Sequence, residues 1–197
     1  TDHYAISNKW QQLVRQSMSC FLVAIDDLVR EHDADLIVDQ TLGRKPVEYS
    51  GSARALVGSE YAILAPNFSS LREFAYTRAL PETRPKVLIS MGGIDNPNAT
   101  LKSLKSLVGK ICADFTVLLS SRAPHYQQVK SWCDLHSNVQ HQDFEADMAD
   151  LMLKHDIAIG APGTTSWERA CLGLPSILIP LADNQKTICA QLLLHKA

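Results

Sequence analysis

The sequence predicts an α/β protein built from doubly wound parallel sheets. Short β-rich apolar runs alternate with amphipathic helical stretches along its 197 residues. The later part repeats strand and helix with short spacers. Small-residue or polar turns follow several of the apolar runs, where parallel sheets carry their ligand loops.

In the first part, residues 8–18 read as a helix capped by Ser7, with Trp10, Leu13 and Val14 on one face. Strands are expected at 20–25 and 36–38, an extended segment at 61–64 and a short helix at 68–74. The stretch 80–86 combines two prolines with three charges and reads as a linker between residues 1–79 and residues 87–197. Beyond it the rhythm becomes regular. Strands are expected at 87–90, 115–119, 138–141, 156–160 and 176–180. Helices are expected at 98–112, 124–135, 146–154 and 164–172, and a last helical run continues from 186. The chain begins at Thr1 and ends at Ala197 without a stop signal, so both ends read as cut.

Composition narrows the function classes. A hydrophobic content of 46% with 20% charged residues fits a globular protein. The net charge of −2 and the absence of long basic runs argue against a nucleic-acid partner. The longest apolar stretch, 20–25, is a strand and too short to span a membrane. The five scattered cysteines form no CxxC pair and fit reduced thiols of a cytoplasmic protein. No HxxxH, HExxH or GxSxG pattern occurs, so neither a metal site nor a serine nucleophile is legible.

Three loops stand at predicted strand ends on one rim. The first is 91–95 with Gly92 and Gly93, which read either as a loop admitting a pyrophosphate or as an ordinary turn. The second is 160–166. There Gly163 allows close backbone approach, and Thr164, Thr165 and Ser166 bring hydroxyls and helix-start N–H groups, the physical recipe for a phosphate. Glu168 follows, either to bind sugar hydroxyls or as the capping-box partner of a Thr or Ser cap. The third is 181–185, where Asp183 suffices as an N-cap while Asn184 and Gln185 offer amides to a sugar nucleotide. Asp26 and Asp27 read as turn or cap residues, since adjacent carboxylates on a strand point to opposite faces. Trp132 and Trp167 read as packing.

Taken together, several blocks resemble a known family. They are Asp2, His3 and Tyr4; Ile25, Asp26 and Asp27; the 55–64 segment; SMGGIDNPN at 90–98; and GAPGTTSWE, LGLP and NQ between 160 and 185. The chain is similar throughout to the UDP-2,4-diacetamido-2,4,6-trideoxy-β-L-altropyranose hydrolases of pseudaminic acid biosynthesis. Its C-terminal half also resembles two-domain glycosyltransferases, and the first two blocks favour the hydrolase.

The resemblance implies two Rossmann-like doubly wound domains of the two-domain glycosyltransferase type, the N-terminal one incomplete. It implies a UDP-sugar substrate, no cofactor, no metal and no legible partner protein. Gly92, Gly93, Gly163, Thr164, Thr165 and Ser166 would lie at the diphosphate and Glu168 at the ribose. Gln185 would face the sugar or its phosphates, and Tyr4 and Asn184 would belong to the catalytic part. In the family, water attacks the anomeric carbon with inversion. Its general base is a histidine in a GxGHxxR loop, which does not occur here and would precede Thr1; His3 lies in a different loop. A glycosyltransferase of similar fold and a non-catalytic nucleotide-binding module are the alternatives.

Overall fold

The computed structural model describes residues 3, 5–79, 81 and 84–194, with the side chain of Asn184 excepted. Tyr4 and part of the 80–86 segment lie outside the described residues. The chain divides into two compact units, residues 1–63 with 190–197, and residues 64–189.

The first unit holds three parallel strands in the order β1 (Val23–Ile25), β2 (Leu36–Asp39), β3 (Arg54–Val57), and the helix α1 (Asn8–Ser17). Leu22, Ala24, Ala34 and Ile37 form its core, with Val14 packed against them. Trp10 and Leu13 are exposed, contrary to the apolar face expected of α1. Gln11 is buried instead, because its amide reaches His32 Nδ1 at 3.0 Å and accepts the Asp33 N–H at 2.9 Å. The segment expected to be extended at 61–64 follows a 3-10 turn, Ser59–Tyr61, and is not a strand; the third strand lies earlier, at β3. The first strand starts at Val23, since the Leu22 N–H is taken by the Asp35 carboxylate at 2.7 Å.

In the second unit, five parallel strands run in the order β6 (Val139–Gln142), β5 (Asp114–Leu118), β4 (Lys86–Ser90), β7 (Ile157–Gly160), β8 (Ser176–Leu178). Between them lie α3 (Ala99–Leu107), α4 (Tyr126–Asp134), α5 (Met148–Leu153) and α6 (Thr164–Cys171), and α7 (Asp183–Leu194) follows, its residues from 190 onward belonging to the first unit. The strand alternation feeds two cores. Val87, Ile89, Phe115, Val117 and Ile159 pack with Leu101, Leu104 and Val129 of α3 and α4. Leu88 and Ala158 point the other way, onto Leu151, Met152 and Leu172. Helix α3 stops at Leu107, short of the expected 112, because Val108 turns extended and Gly109 takes φ +80°.

Helix α2 (Pro66–Ala75) belongs to this second unit. Phe68 is 2% exposed in the same core as Leu88 and Met152. The Arg78 guanidinium donates to the carbonyls of Met152 and Gly173, both at 3.2 Å. The division between the units therefore falls after Ile63, ahead of the 80–86 segment. No described helix is long and apolar enough to cross a membrane.

Phe68→Ala should lower the stability of the second unit by about 3–5 kcal/mol, the usual loss for a buried phenylalanine. Exposed Phe74→Ala should change it little. Denaturant unfolding followed by circular dichroism checks both.

Candidate functional site

The chain passes from β4 to β5 on one side of the sheet and returns to β7 on the other. The reversal in strand order falls between β4 and β7, the position where open parallel sheets bind ligands beyond their carboxyl ends. Register joins the three rim loops. Ser90 at the end of β4 pairs with Gly160 at the end of β7, and Gly160 pairs with Leu178 at the end of β8. The loops beginning at Met91, Ala161 and Ile179 thus leave three adjoining strands on one rim.

Glycine shapes this rim in two ways. A Cβ on Gly92, Gly93 or Gly163 would meet nothing within 4 Å, so these positions border open space. Gly92 also needs its freedom, at φ +88°. Gly160 is the opposite case: a Cβ there would lie 2.5 Å from the Ser90 carbonyl and 2.8 Å from Arg169 Nη1.

Helix α6 begins at Thr164, with Gly163 at its N-cap. That places Ser166 at N3, and its hydroxyl accepts the Gly163 N–H at 3.3 Å while the Ser166 N–H reaches the Gly163 carbonyl at 2.8 Å. Ser166, 6% exposed, is therefore committed to holding the turn. The capping-box reading of Glu168 fails, because Glu168 lies two positions beyond N3. Glu168 Oε2 is buried and accepts no hydrogen bond from any described group. Burial pushes this carboxyl above its usual range, and the Arg169 charge only partly opposes the shift.

Arg169 was not legible as a site residue. It is 3% exposed beneath the turn, donating to the Ala161 carbonyl at 3.0 Å, Ser166 Oγ at 3.1 Å and Thr165 Oγ1 at 3.2 Å. Its spacing from Thr165 and Ser166 (i+4 and i+3) was the available signal. Asp95 is a second unforeseen member. Its buried carboxylate caps α3 through the N–H groups of Ala99 and Thr100, both at 2.8 Å, while Asn98 stands in the left-handed region. These two bonds fix where the Gly92 and Gly93 loop leaves the rim.

In the third loop, Gln185 Oε1 accepts the Leu181 N–H at 2.7 Å and so braces the entry to α7. Asp183 is the first residue of that helix and pairs with Lys186 at 2.7 Å. Asn184 occupies the second position of α7.

The remaining polar clusters are structural. Burial acts to raise the Asp26 carboxyl, but hydrogen bonds from Arg30 and His32 outweigh it and leave the group below its usual range. Asp39 receives Arg44 Nε at 2.5 Å and the Tyr49 hydroxyl at 3.0 Å. His155 is buried between the Leu151 carbonyl and Thr116 Oγ1, at 2.7 and 2.8 Å. Trp167 is buried and Trp132 packs on the first core, stacking on His136 at 3.8 Å.

The architecture is that of the two-domain glycosyltransferases. Its backbone is similar to the crystal structure of MurG from Acinetobacter baumannii, with a TM-score of 0.56 and 14% identity over 95% of this chain and 54% of that one. The chain belongs to the glycosyltransferase family 28 C-terminal domain family, which it matches over residues 90–196. It is 27% identical over 165 residues to the spore coat polysaccharide biosynthesis protein SpsG of Bacillus subtilis (strain 168), covering 77% of this chain and 45% of that protein. It is 24% identical over 156 residues to the UDP-2,4-diacetamido-2,4,6-trideoxy-beta-L-altropyranose hydrolase of Campylobacter jejuni, covering 77% and 54%. The chain spans about half the length of these relatives.

A raised carboxyl contributes stability that is present below its ordinary value of 4.5 and lost as pH rises through the folded value. Glu168→Gln should therefore raise the melting temperature of the ligand-free protein at pH 8. The gain should shrink toward pH 4, which calorimetric melts across that range would show.

Proposed function

We propose that this chain supplies the UDP-binding part of an enzyme that hydrolyses a UDP-linked diacetamido-trideoxy sugar to free sugar and UDP. The observation that carries the reading is the pairing of an open glycine rim at the strand-order reversal with the unsatisfied, buried carboxylate oxygen of Glu168. Gly92, Gly93 and Gly163 let the diphosphate approach the backbone, and Thr164 and Thr165 at the start of α6 meet its charge. Glu168 accepts from the ribose hydroxyls. Ser166 serves from behind, since its hydroxyl already holds the turn. By the family resemblance Gln185 is assigned to the sugar or its phosphates, and Asn184 and Tyr4 to the catalytic part. As a family correspondence, residues 1–79 and 87–197 are read as deriving from the two domains, although helix α2 packs within the second compact unit; the free thiols fit a cytoplasmic setting.

In the reaction, a water oxygen bonds to the anomeric carbon as the bond from that carbon to the UDP oxygen breaks, with inversion. The water proton passes to a general base, and the leaving diphosphate takes the electron pair. The rim groups stabilise the negative charge that grows on UDP as it departs. The similarity to the Campylobacter jejuni hydrolase supports water as acceptor. The glycosyltransferase family favours a second reading, transfer to another hydroxyl. Release of free sugar from the UDP-sugar without added acceptor separates the two; strict acceptor dependence would sink the hydrolase reading.

Binding tests the site itself. The chain should bind UDP in titration calorimetry, and Glu168→Ala should weaken binding by about 1–3 kcal/mol, the scale of hydrogen bonds to a charged group. Gly93→Val should abolish binding while leaving the melting temperature nearly unchanged, because its Cβ enters open space. Unchanged UDP affinity in both variants would move the ligand off this rim.

A further inference from the structure

We propose that Arg169 is a positioning residue whose buried charge acts on the anionic part of the ligand bound at the rim. The inference rests on the UDP reading above and assigns a role to a residue that the resemblance left without one.

Its surroundings are unusual for a guanidinium. Buried arginines are normally paired with a carboxylate, because an isolated buried charge is costly. Arg169 has only neutral oxygens on its two terminal nitrogens: the Ala161 carbonyl and the hydroxyls of Thr165 and Ser166. Its Nε has no partner, and among the described residues no carboxylate forms an ion pair with it. Glu168 is its neighbour in sequence, and consecutive positions on a helix do not face each other. The nearby Glu168 charge favours the cation through space but forms no ion pair with it, so the positive charge is only partly compensated among the described residues.

The backbone is arranged to admit this guanidinium. Gly160 leaves the room that Nη1 occupies, since a Cβ there would stand 2.8 Å from it. The same glycine pairs with Ser90, the residue two before Gly92. The bonds to Ala161, Thr165 and Ser166 span the whole turn around Gly163. The charge thus lies behind the part of the rim where Gly92, Gly93 and Gly163 border open space. An anion there completes the charge balance without touching the guanidinium.

A purely structural role and a charge role predict different ligand profiles. Calorimetric titration of uridine, UMP and UDP into the wild type, Arg169→Lys and Arg169→Met separates them. Arg169→Met should lose about tenfold in UDP affinity, less for UMP and nothing for uridine, because a Coulomb term follows ligand charge. Arg169→Lys should keep much of the preference for UDP over uridine. Equal losses for all three ligands, or no loss for UDP, would overturn the proposal. Should Arg169→Met not fold, inorganic pyrophosphate supplies the second measurement. It should raise the melting temperature of the wild type and fail to do so in Gly93→Val. A wild type indifferent to pyrophosphate also overturns the proposal. If pyrophosphate stabilises the protein while no nucleotide binds, the anion site stands and the UDP reading falls.

Discussion

Everything at the rim depends on how closely β4 and β7 approach at their carboxyl ends. Ser90 pairs with Gly160, and the absent Cβ of Gly160 lets the Ser90 carbonyl and the Arg169 guanidinium occupy the same small volume. A larger residue would have to push apart a backbone carbonyl and a buried cation together. The contact also sits where the strand order reverses, so the loops on either side diverge from it. The open rim and the buried cation beneath it thus share one cause: two parallel strands held tight at their ends while their following chains part.

The walls are then fixed by hydrogen bonds that look like housekeeping. Asp95 caps α3 and anchors one loop, Ser166 closes the turn ahead of α6, and Gln185 holds the entry to α7. Each satisfies backbone N–H groups that strand ends or helix starts would otherwise leave without partners. A preorganised rim follows, because each loop is tied within a few residues of the strand it leaves. Residues assigned to the ligand by resemblance divide accordingly. Gly92, Gly93 and Gly163 leave space, whereas Ser166 and Gln185 spend side-chain oxygens on the scaffold.

The sheet of the second unit was legible because its strands are short apolar runs and its helices carry periodic apolar faces. The three loops were legible for a related reason, glycine and hydroxyl residues directly after such runs. Local pattern failed where partners are distant. β3 was missed since Arg54 at its start and the glycine and serines before it resemble a loop, and pairing with Leu36 to Asp39 makes it a strand. α1 presents Gln11 to the interior because His32 and Asp33 await it some twenty residues on. Phe68 joins the second unit through a core that reaches as far along the chain as Leu174. Arg169 was not singled out from sequence, and its burial under the turn is what distinguishes it from a solvated helix charge.

On the proposed reading, Glu168 and Arg169 together bear on what kind of molecule suits this place. They are adjacent on α6, about 100° apart around the helix, and each is left with an unmet need. Glu168 has a buried oxygen lacking a donor; Arg169 has a buried guanidinium with no ion-pair partner among the described residues. Their charges attract through space, but consecutive helix positions do not face each other and no ion pair joins them, so each cost is only partly met. A bare phosphate answers only the cation, and a neutral sugar answers only the carboxylate. A ligand carrying hydroxyl donors and a diphosphate on one frame would answer both at once, as the proposed UDP group does. Two opposite electrostatic costs thus stand in consecutive residues, and on the proposed reading a single ligand of that class relieves both in one binding event.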